Sequence, residues 1–597
     1  MVNEKIPDDY IDQPWMKFWP EGVPKHVDYE EYSLGEMLRK TAKNYPDSQA
    51  IYFEGWRCTY KELDALVNQF ATALSKMGIK KNDIVLIDLP NTPQFVISYY
   101  AIVRIGAMAN PIIPLNKYTE ILHQANDSKG KALIILDVLY EEHLHGKDLS
   151  KMPNLKDVIL TGVAEYLPKI KAVLGKALGK VPRMKKWPSG SLGGVNFHAF
   201  QDILKRGDPI DLPEVDINPK EDISTLIYTG GTTGLPKGCK MSHYNFIVNC
   251  QQGNIWVQNQ MPNPVPHGEG GMFVILPLAH EFALSIAMNI GIFMGFKLIL
   301  FIRPPEKMSN FLKLLKKESA TYGPGVPTLW NAIANDPDSQ KYKGKLDSLE
   351  ACFSGAAPLP LEVKDKFEEV TGANIVEGFG MSETSPILTV TPIKKYKPNT
   401  VGFPVSDTYI KIVDLEKGTK ILPQCPRENC ETCGPDEAQY IGEICGSGPQ
   451  VFLGYLNRPE ATEYALRKDD HGRIWYYTTD IGCIDKDGYL RVKDRKRDML
   501  KYKGHSVFPR EVEDLMYLHP AINEVGVVGV PDPESGENIK AYVSLKSEYV
   551  GKITEEELLE WCKENISAYK YPRIIEIIPE LPKTLVGKIL RRELRKK

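Results

Sequence analysis

Residues 60–105 read YKELDALVNQFATALSKMGIKKNDIVLIDLPNTPQFVISYYAIVRI and alternate between two hydrophobic patterns. Apolar side chains recur every three to four residues over Tyr60–Met77 and again over Phe95–Ile105, which predicts two amphipathic helices. The short, mostly apolar run Ile84–Leu89 between them is typical of a buried strand. With a further helical pattern over Leu34–Tyr45, this stretch predicts parallel strands joined by helices.

Working outward, the same alternation resumes after residue 220 and continues to about residue 380. Residues 401–493 change to short strands and many glycine turns, which predicts a β-rich subdomain. A charged segment, Asp494–Asp498, then precedes a compact α+β unit. We therefore expect an α/β protein whose large N-terminal domain (1–493) has mainly parallel sheets, followed by a small α+β C-terminal domain (494–597). Two domains also suit the length of 597 residues, because single cores stop growing at about 250–300 residues.

The composition excludes several classes of protein. A net charge of −3 gives no global argument for nucleic-acid binding. The most apolar stretch, Phe282–Phe296, is shorter than the roughly 20 residues that span a bilayer, so we expect a buried helix there. The acidic N-terminus shows no secretory signal, and ten cysteines in so long a chain do not suggest a disulfide scaffold. A cytoplasmic location with reduced thiols is expected.

The segment 164–188 is unusually basic and has apolar residues at helical spacing. It contains one acid, Glu165, and seven basic residues: Lys169, Lys171, Lys176, Lys180, Arg183, Lys185 and Lys186. A basic amphipathic helix can lie on an anionic membrane. A solvated surface insertion is the favoured interpretation of this segment, and membrane binding is the alternative.

The strongest local motif is YTGGTTGLPKG, residues 228–238, which follows an apolar run that resembles a strand. Its glycines let the backbone bend closely around a ligand, and its N–H groups, hydroxyls and one ammonium can bind phosphate oxygens. The spacing does not fit a Walker A loop. The predicted phosphate-binding residues are Thr229, Gly230, Gly231, Thr232, Thr233, Gly234 and Lys237.

This motif resembles the phosphate loop of the adenylate-forming superfamily, which includes acyl-CoA synthetases, peptide-synthetase adenylation domains and beetle luciferases. Gly230 stands where the family usually has Ser, a form that resembles the fatty acyl-CoA ligase branch. Further segments match the family in order between residues 59 and 597. Thr59–Leu63 and Gly106–Pro114 resemble early motifs that serve packing.

The resemblance implies an acid site and an adenine site. In LPLAH, residues 276–280, His280 is expected to line the wall between the substrate carboxylate and the CoA channel. The turn SGAAP, residues 354–358, is expected to cradle adenine through Gly355, Ala356, Ala357 and Pro358. Its small residues would let the flat base approach the backbone.

The next motif, EGFGMSE at 377–383, is expected to complete the ATP site. Phe379 offers an aromatic face to the purine, and Ser382 can donate to the α-phosphate. Glu383 is expected to hold Mg²⁺ jointly with the phosphates of ATP and to act in catalysis. The ATP-binding residues expected here are Glu377, Gly378, Phe379, Gly380 and Ser382.

Towards the C-terminus, Asp480 in YTTD resembles the ribose-binding carboxylate, and Arg495 resembles a second ribose contact. Thr479 replaces the usual Gly, which implies a stiffer loop. Lys588, in LPKTLVGK, matches the catalytic lysine, whose charge bridges two anions in the first step. The family's hinge falls at Arg497, and the resemblance places Lys501, Lys503 and Gly504 along the pantetheine path of a mobile C-terminal domain.

Four cysteines form a separate candidate site: Cys425, Cys430, Cys433 and Cys445. Four thiolates can bind a structural zinc ion tetrahedrally. The spacing is not a strong zinc signature, so thiols without metal or a local disulfide remain alternatives.

The resemblance implies an AMP-forming ligase that uses ATP and Mg²⁺ to convert a carboxylic acid to an acyl-adenylate and then transfers the acyl group to CoA. The glycine form of the phosphate loop, the basic segment and the apolar stretch favour a medium- or long-chain fatty acid. An alicyclic or aromatic acid, or delivery of the acyl group to a carrier protein, remains an alternative. A non-catalytic membrane-associated protein is disfavoured because Lys588, Glu383 and Asp480 are all present.

Overall fold

The computed structural model describes residues 13–229, 236–428, 439–496, 498–502, 505–532, 536–583 and 589–596. In chain order the strands are β1 Gln49–Phe53, β2 Trp56–Thr59, β3 Ile84–Asp88, β4 Met108–Pro111, β5 Ala132–Leu136, β6 Asp157–Thr161, β7 Gly190–Leu192, β8 Val195–Ala199, β9 Ile223–Thr229, β10 Lys237–Ser242, β11 Gly271–Val274, β12 Lys297–Leu300, β13 Tyr322–Gly325, β14 Ala351–Ser354, β15 Asn374–Gly380, β16 Ile387–Val390, β17 Phe403–Pro404, β18 Tyr409–Val413, β19 Gly442–Ser447, β20 Leu466–Lys468, β21 Ile474–Ile484, β22 Leu490–Arg495, β23 Leu500–Tyr502, β24 His505–Val507, β25 Ile522–Asp532, β26 Gly536–Leu545 and β27 Ile574–Ile577. The α-helices are α1 Leu34–Asn44, α2 Tyr60–Lys76, α3 Pro93–Arg104, α4 Tyr118–Ser128, α5 Asp137–His143, α6 Lys169–Ala177, α7 Phe200–Arg206, α8 His243–Gln260, α9 Ile290–Phe293, α10 Met308–Lys317, α11 Pro327–Asn335, α12 Leu361–Thr371, α13 Pro459–Ala465, α14 Pro509–Met516, α15 Glu555–Asn565 and α16 Arg591–Leu594.

Two large sheets with parallel centres form the main body. The nine-stranded sheet has the order β17-β16-β15-β14-β13-β11-β12-β1-β2, and the eight-stranded sheet has the order β10-β9-β4-β3-β5-β6-β8-β7. The central neighbours pair in parallel, for example β3 with β4 and β14 with β15, whereas the edge pairs are antiparallel. One large cluster of buried side chains joins the two sheets and their helices. The predicted α/β architecture with mainly parallel sheets is confirmed.

The opening stretch folds as its pattern predicts, with helices α1, α2 and α3 and strand β3 within two residues of the expected ends. The motif at Thr59–Leu63 is a capping box at the start of α2. The Thr59 hydroxyl accepts from the Glu62 N–H at 3.2 Å, and the Glu62 carboxylate accepts from the Thr59 N–H at 2.8 Å. Each bond satisfies a backbone N–H group at the start of the helix, and together they fix the turn there. This explains the packing role expected for the motif.

Two smaller sheets follow. Strands β18–β22 form the predicted β-rich subdomain, and β23–β27 form a five-stranded sheet in the C-terminal region. The C-terminal sheet has its own core with α14 and α15, which includes Val512, Val527 and Leu558. Arg495 ends β22, so the expected boundary at residue 494 falls inside this strand and stays a prediction.

The apolar stretch Phe282–Phe296 is a buried helix, as predicted. Residues Ala283–Asn289 form a π-helix that continues directly into α9. Each of these π-helical residues is buried, and Tyr100 donates to the Asn289 amide oxygen at 2.7 Å. No helix among the described residues combines the length and the apolar character needed to cross a bilayer.

Candidate active site

The glycine-rich motif lies between two antiparallel strands. Thr229 ends β9 and is paired in register with Lys237, which begins β10. Gly230, Gly231, Thr232, Thr233 and Gly234 lie outside the described residues. The Lys237 ammonium lies 5.2 Å from the centre of the Tyr455 ring. Lys237 therefore places one cation at the end of this strand pair, beside Tyr455.

The expected adenine site lies at the carboxyl ends of two neighbouring parallel strands. Ser354, the last residue of β14, is paired with Glu377 of β15. Ligands of α/β sheets bind at this edge, where loops leave the strands. Ala356 has a φ of +67°, so the turn after β14 follows a left-handed course. The Glu377 carboxylate is buried and accepts from the Tyr396 hydroxyl at 2.8 Å.

Glu383 is a buried carboxylate in a short 3₁₀ helix, Ser382–Thr384, that follows β15. The Tyr455 hydroxyl donates to its Oε1 at 2.8 Å. Burial raises the pKa of Glu383, and the hydrogen bond from Tyr455 opposes that rise. Tyr455 is held in place because the backbone of Leu453 and Leu456 bonds to β10. Tyr455 thus links the phosphate-loop cation to the expected magnesium ligand, a role that the sequence motifs did not reveal.

Asp480 and Arg495 face each other across the β21–β22 hairpin. Their side chains form an ion pair at 3.2 Å, and Asp480 raises the pKa of Arg495. The preceding residue, Thr479, has a φ of +61°, a left-handed conformation that is strained for a β-branched residue. The Thr479 N–H donates to the buried Glu443 carboxylate at 3.0 Å, which helps to hold this conformation. Glycine is the unstrained choice here, which explains physically why the family favours it.

His280 is held as a neutral imidazole. Burial lowers its pKa to about 4, and the backbone N–H of Phe282 donates to its Nδ1 at 3.2 Å. Because Nδ1 accepts this bond in a neutral ring, the proton lies on Nε2. His280 lines a large cavity, so Nε2–H is a hydrogen-bond donor at the wall of that cavity.

This cavity, here called the acyl cavity, extends from the expected adenylate site into an apolar interior. The space between the protein atoms that line it, including the part open to solvent, is about 1020 Å³. One part of its wall consists of site residues, namely His280, Gly355, Ala356, Glu377, Gly378, Phe379, Gly380 and Ser382. The other part is mostly apolar and includes Trp256, Val257, Met261, Met272, Ile286, Ile290, Met294, Tyr322, Phe353 and Val376. One cavity therefore has a polar end and an apolar end.

The wall formed by α8 is fixed by side-chain amides. Asn249 donates to the Ile387 carbonyl at 3.1 Å and accepts from the Ile387 N–H at 3.1 Å, which ties the helix to β16. Asn245 donates to the carbonyls of Pro449 and Val451. Helix α8 begins at His243, directly after β10, so Val257 lies about 21 Å further along the helix axis than His243.

Residues 38–456 match the family described as AMP-binding enzyme, and residues 511–588 match the AMP-binding enzyme C-terminal domain. The chain belongs to the AMP-binding enzyme family. This family member is 36% identical over 585 residues to a long-chain-fatty-acid–CoA ligase of Bacillus subtilis (strain 168), with 98% of this chain and 97% of that protein covered. It is 33% identical to a long-chain-fatty-acid–CoA ligase of Escherichia coli O157:H7, with 97% of each chain covered.

Among solved structures, the AMP-binding enzyme is similar to an anthranilate CoA ligase, AuaEII, in complex with anthranoyl-AMP. The TM-score is 0.77 at 25% identity, and the match covers 96% of this chain and 98% of that one. The predicted superfamily, the fold with a small C-terminal domain and the prediction of an adenylate-forming acid–CoA ligase are confirmed.

The four-cysteine zinc site is not supported. Cys425 packs with Ile441, Ile481 and Cys483, whereas Cys445 packs in a different cluster with Tyr409, Val413, Trp475 and Tyr477. Cys445 lies in β19 and packs in the core of that sheet, in a different cluster from Cys425. Cys483 is engaged in a disulfide bond. No group of three or more potential metal ligands occurs in the described part of the chain, and Cys430 and Cys433 lie outside it.

Several other predicted site residues of this AMP-binding enzyme also lie outside the described residues: Arg497, Lys503, Gly504 and Lys588. The backbone of Lys501 belongs to β23. On either side of residues 584–588, Lys583 and Ile589 form an antiparallel bridge. Lys583 pairs with Glu524 at 2.8 Å, and Arg591 pairs with Asp494 at 3.1 Å and with Glu513 at 2.6 Å. The residues flanking the motif are thus anchored to the C-terminal unit.

Proposed function

We propose that this enzyme activates a medium- or long-chain fatty acid with ATP and transfers the acyl group to CoA. The acyl cavity is the observation that carries the proposal, because its polar end adjoins the expected adenylate site and its other end is apolar. An alkyl chain can fill such a space, with its carboxylate left at the polar end.

In the first half-reaction, Asp480 and Arg495 would bind the ribose, and Phe379 would contact the purine. The hydroxyl of Ser382 and the ammonium of Lys237 would bind phosphate oxygens. The neutral His280 would orient the acid through Nε2–H without adding charge to a site that already holds two anions. Lys588 would place its ammonium between the carboxylate and the α-phosphate while the pyrophosphate bond breaks.

Glu383 fits a magnesium ion shared with ATP. Mg²⁺ is usually held by one or two carboxylates together with substrate phosphates, so a single buried carboxylate suits it better than an all-protein cage. The fixed orientation of Glu383 by Tyr455 supports this role. When bound, the ion would neutralise the charge that develops on the phosphates. Asp480 is another carboxylate whose charge acts on Glu383, but its ion pair with Arg495 supports a role at the ribose instead.

In the second half-reaction, CoA would enter the same site once the acyl-adenylate has formed. Two steps that share one site require a domain to turn between them. We therefore propose a domain boundary near residue 494 and a mobile C-terminal domain that turns about a hinge at Arg497. This turn would bring Lys501, Lys503 and Gly504 to the pantetheine path. The separate core around Val512, Val527 and Leu558 supports a unit that can move as a body.

The length of the cavity gives a testable prediction. Val257 lines the apolar end, so Val257→Trp should shorten the cavity. We expect kcat/KM for hexadecanoic acid to fall at least about tenfold relative to octanoic acid, since each lost methylene contact is worth about 1 kcal/mol or more. The measurement is acid-dependent pyrophosphate release with both acids.

Ile255→Trp is the matched control, because Ile255 lies on the same helix but not in the cavity wall. It should leave the ratio between the two acids unchanged. An unchanged ratio in Val257→Trp, or better use of benzoic acid than of either fatty acid by the wild-type enzyme, would favour an aromatic or alicyclic acid. Pyrophosphate release without loss of the CoA thiol would favour delivery to a carrier protein.

We also propose that this enzyme is cytoplasmic and binds peripherally to an anionic membrane through the segment 164–188. Helix α6 presents its apolar side chains to solvent: Ile170 is 77% exposed, Val173 67% and Leu174 55%. Leu178, directly after the helix, is 66% exposed. Ala172, on the opposite side, packs on the protein. A surface helix normally buries its apolar stripe, so this outward stripe indicates a surface that binds something apolar.

The charge of this segment indicates an anionic partner. Its acid, Glu165, is turned inward and accepts from Thr161 and Gln201. Lys171 pairs with Glu54. Exposed side chains without a carboxylate partner among the described residues are Lys169, Lys180, Arg183, Lys185 and Lys186. Basic residues beside an anionic bilayer contribute about 1 kcal/mol each, in addition to the burial of the apolar stripe.

Cosedimentation with vesicles tests this surface. We expect the wild-type protein to bind vesicles of phosphatidylglycerol and phosphatidylcholine more tightly than vesicles of phosphatidylcholine alone. The double variant Val173→Asp/Leu174→Asp should lose at least about tenfold in affinity, because it places two charges in the apolar layer. Leu518→Asp, at an exposed apolar position in the C-terminal unit, is the control. Equal binding by the double variant and this control would refute the surface.

A further inference from the structure

Glu281 is a carboxyl group buried in the wall of the acyl cavity, directly after His280. Its side chain is almost fully buried, with the residue 1% exposed. The Ser285 hydroxyl donates to its Oε1 at 2.6 Å. Its Oε2 is buried and has no hydrogen-bond partner among the described residues. One oxygen of this carboxyl is therefore fixed, and the other is buried without a partner in a residue that lines the acyl cavity.

A purely structural role does not account for Glu281. An unpaired polar atom in the interior destabilises a fold, whereas an apolar residue of similar size would not. The neighbouring wall residues Phe282, Ile286 and Ile290 are apolar and would pack well against such a residue. A carboxyl at this place is therefore best explained by a group that enters the cavity.

The chemical state of Glu281 indicates what that group is. Burial raises the pKa of Glu281 to about 8, and the nearby Glu383 carboxylate acts in the same direction. The side chain is therefore mainly protonated at neutral pH. Because Oε1 already accepts from Ser285, the proton lies on Oε2, which becomes a hydrogen-bond donor. A carboxylic acid kept neutral by an apolar site can serve as such a donor.

We propose that Glu281, as a neutral acid, donates a hydrogen bond from Oε2 to the carboxylate of the fatty acid. This inference rests on the proposed function, because it takes the acid to lie with its chain in the apolar part of the cavity. The carboxylate then lies at the polar end, near His280 and Ser382. An ionised Glu281 would repel this carboxylate, whereas a neutral donor attracts it without adding a third negative charge.

The bond persists through adenylation. One carboxylate oxygen bonds to the α-phosphorus while the bond from phosphorus to pyrophosphate breaks. The other oxygen becomes the carbonyl oxygen of the acyl-adenylate and continues to accept from Glu281, which keeps its proton throughout. Since the bond is present before and after the chemical step, its loss should weaken binding of the acid more than it slows the step.

Two variants of similar shape separate recognition from packing. Glu281→Gln keeps a neutral hydrogen-bond donor, and Glu281→Leu removes it. With dodecanoic acid as the probe, we expect Glu281→Leu to raise KM for the acid about 10- to 100-fold, the range for a hydrogen bond to a charged group. Its kcat should change less than about threefold, and KM for ATP should not change. Glu281→Gln should stay within about fivefold of the wild-type KM.

Thermal melting supplies the readout that a structural role would not give. Glu281→Leu removes the unpaired oxygen, so it should melt at or above the wild-type temperature although it binds the acid poorly. Glu281→Met is a second apolar variant, should Leu pack badly. A wild-type KM in the apolar variants, or a Gln variant as impaired as the Leu variant, would overturn the proposal. Failure of the wild-type enzyme to activate any acid would instead refute the proposed function.

Discussion

The Lys588→Ala variant is expected to lose acyl-adenylate formation by at least about 100-fold and to keep transfer from supplied acyl-adenylate to CoA. Adenylation brings a carboxylate towards a phosphate, and an ammonium between the two anions stabilises the transition state by several kcal/mol. Transfer to CoA starts from an adenylate whose bond is already made, so it does not need this charge. The measurement compares pyrophosphate release with thioester formation from synthetic acyl-AMP.

Lys583→Ala is the matched control within the same motif. Lys583 pairs with Glu524 at 2.8 Å, and its backbone bridges to Ile589, so its role is to fix the segment. We expect its loss to lower adenylation less than about tenfold, which is the effect of about 1.4 kcal/mol. Lys588→Ala with more than about a tenth of the wild-type adenylation rate would refute the catalytic role of Lys588.

Glu383→Gln is expected to lower pyrophosphate release about 100-fold or more at saturating ATP. The substitution removes the charge that would hold Mg²⁺ but keeps nearly the same shape, and the loss of one such electrostatic contact costs about 2.7–4 kcal/mol. The Mg²⁺ concentration for half-maximal rate should rise as well. The melting temperature should change little, because an amide oxygen can still accept from Tyr455.

Tyr455→Phe isolates the orienting bond from the charge. It removes the hydroxyl that donates to Glu383 at 2.8 Å and leaves the carboxylate in place. We expect a loss of about tenfold, the effect of one hydrogen bond to a charged group. If Glu383→Gln shows the wild-type dependence on Mg²⁺, Glu383 is not the metal ligand. If Tyr455→Phe is as slow as Glu383→Gln, these two variants do not separate the orienting role of the Tyr455 hydroxyl from the role of the Glu383 charge.

The sequence predicted those parts of the structure that local periodicity or a short motif specifies. Helices α2 and α3 and strand β3 follow from the spacing of apolar residues. The pairing of Asp480 with Arg495 was foreseen only as two separate contacts with ribose; the structure adds that β21 and β22 place them opposite each other. Their meeting depends on strand register, which no short motif records.

Tyr455 and Glu281 could not be assigned from their surroundings in the sequence. Tyr455 reaches Glu383 because a loop of the β-rich subdomain bonds to β10, more than 200 residues earlier in the chain. Glu281 was visible only as a charged residue at the edge of an apolar stretch. A lone acid beside His280 in so apolar a segment is the one signal that could have drawn attention to it.

The four-cysteine zinc site, one of the alternatives for this cluster, is not supported for a related reason. Short spacing between Cys425, Cys430 and Cys433 suggested that they converge with Cys445, but β19 carries Cys445 into a cluster of its own with Trp475. For α6, the sequence correctly indicated a helix from the spacing of its apolar residues. Only the structure shows that the apolar side of this helix faces solvent.

Fatty acid–CoA ligation is best tested by ATP-dependent formation of acyl-CoA by the purified enzyme, with products identified by mass. The acids to compare are octanoic, dodecanoic, hexadecanoic, benzoic and 4-coumaric acid. We expect acyl-CoA, AMP and pyrophosphate in equal amounts, with the highest kcat/KM for dodecanoic or hexadecanoic acid. Acyl-CoA formed only from the aromatic acids, or pyrophosphate released from fatty acids without any acyl-CoA, would contradict this expectation.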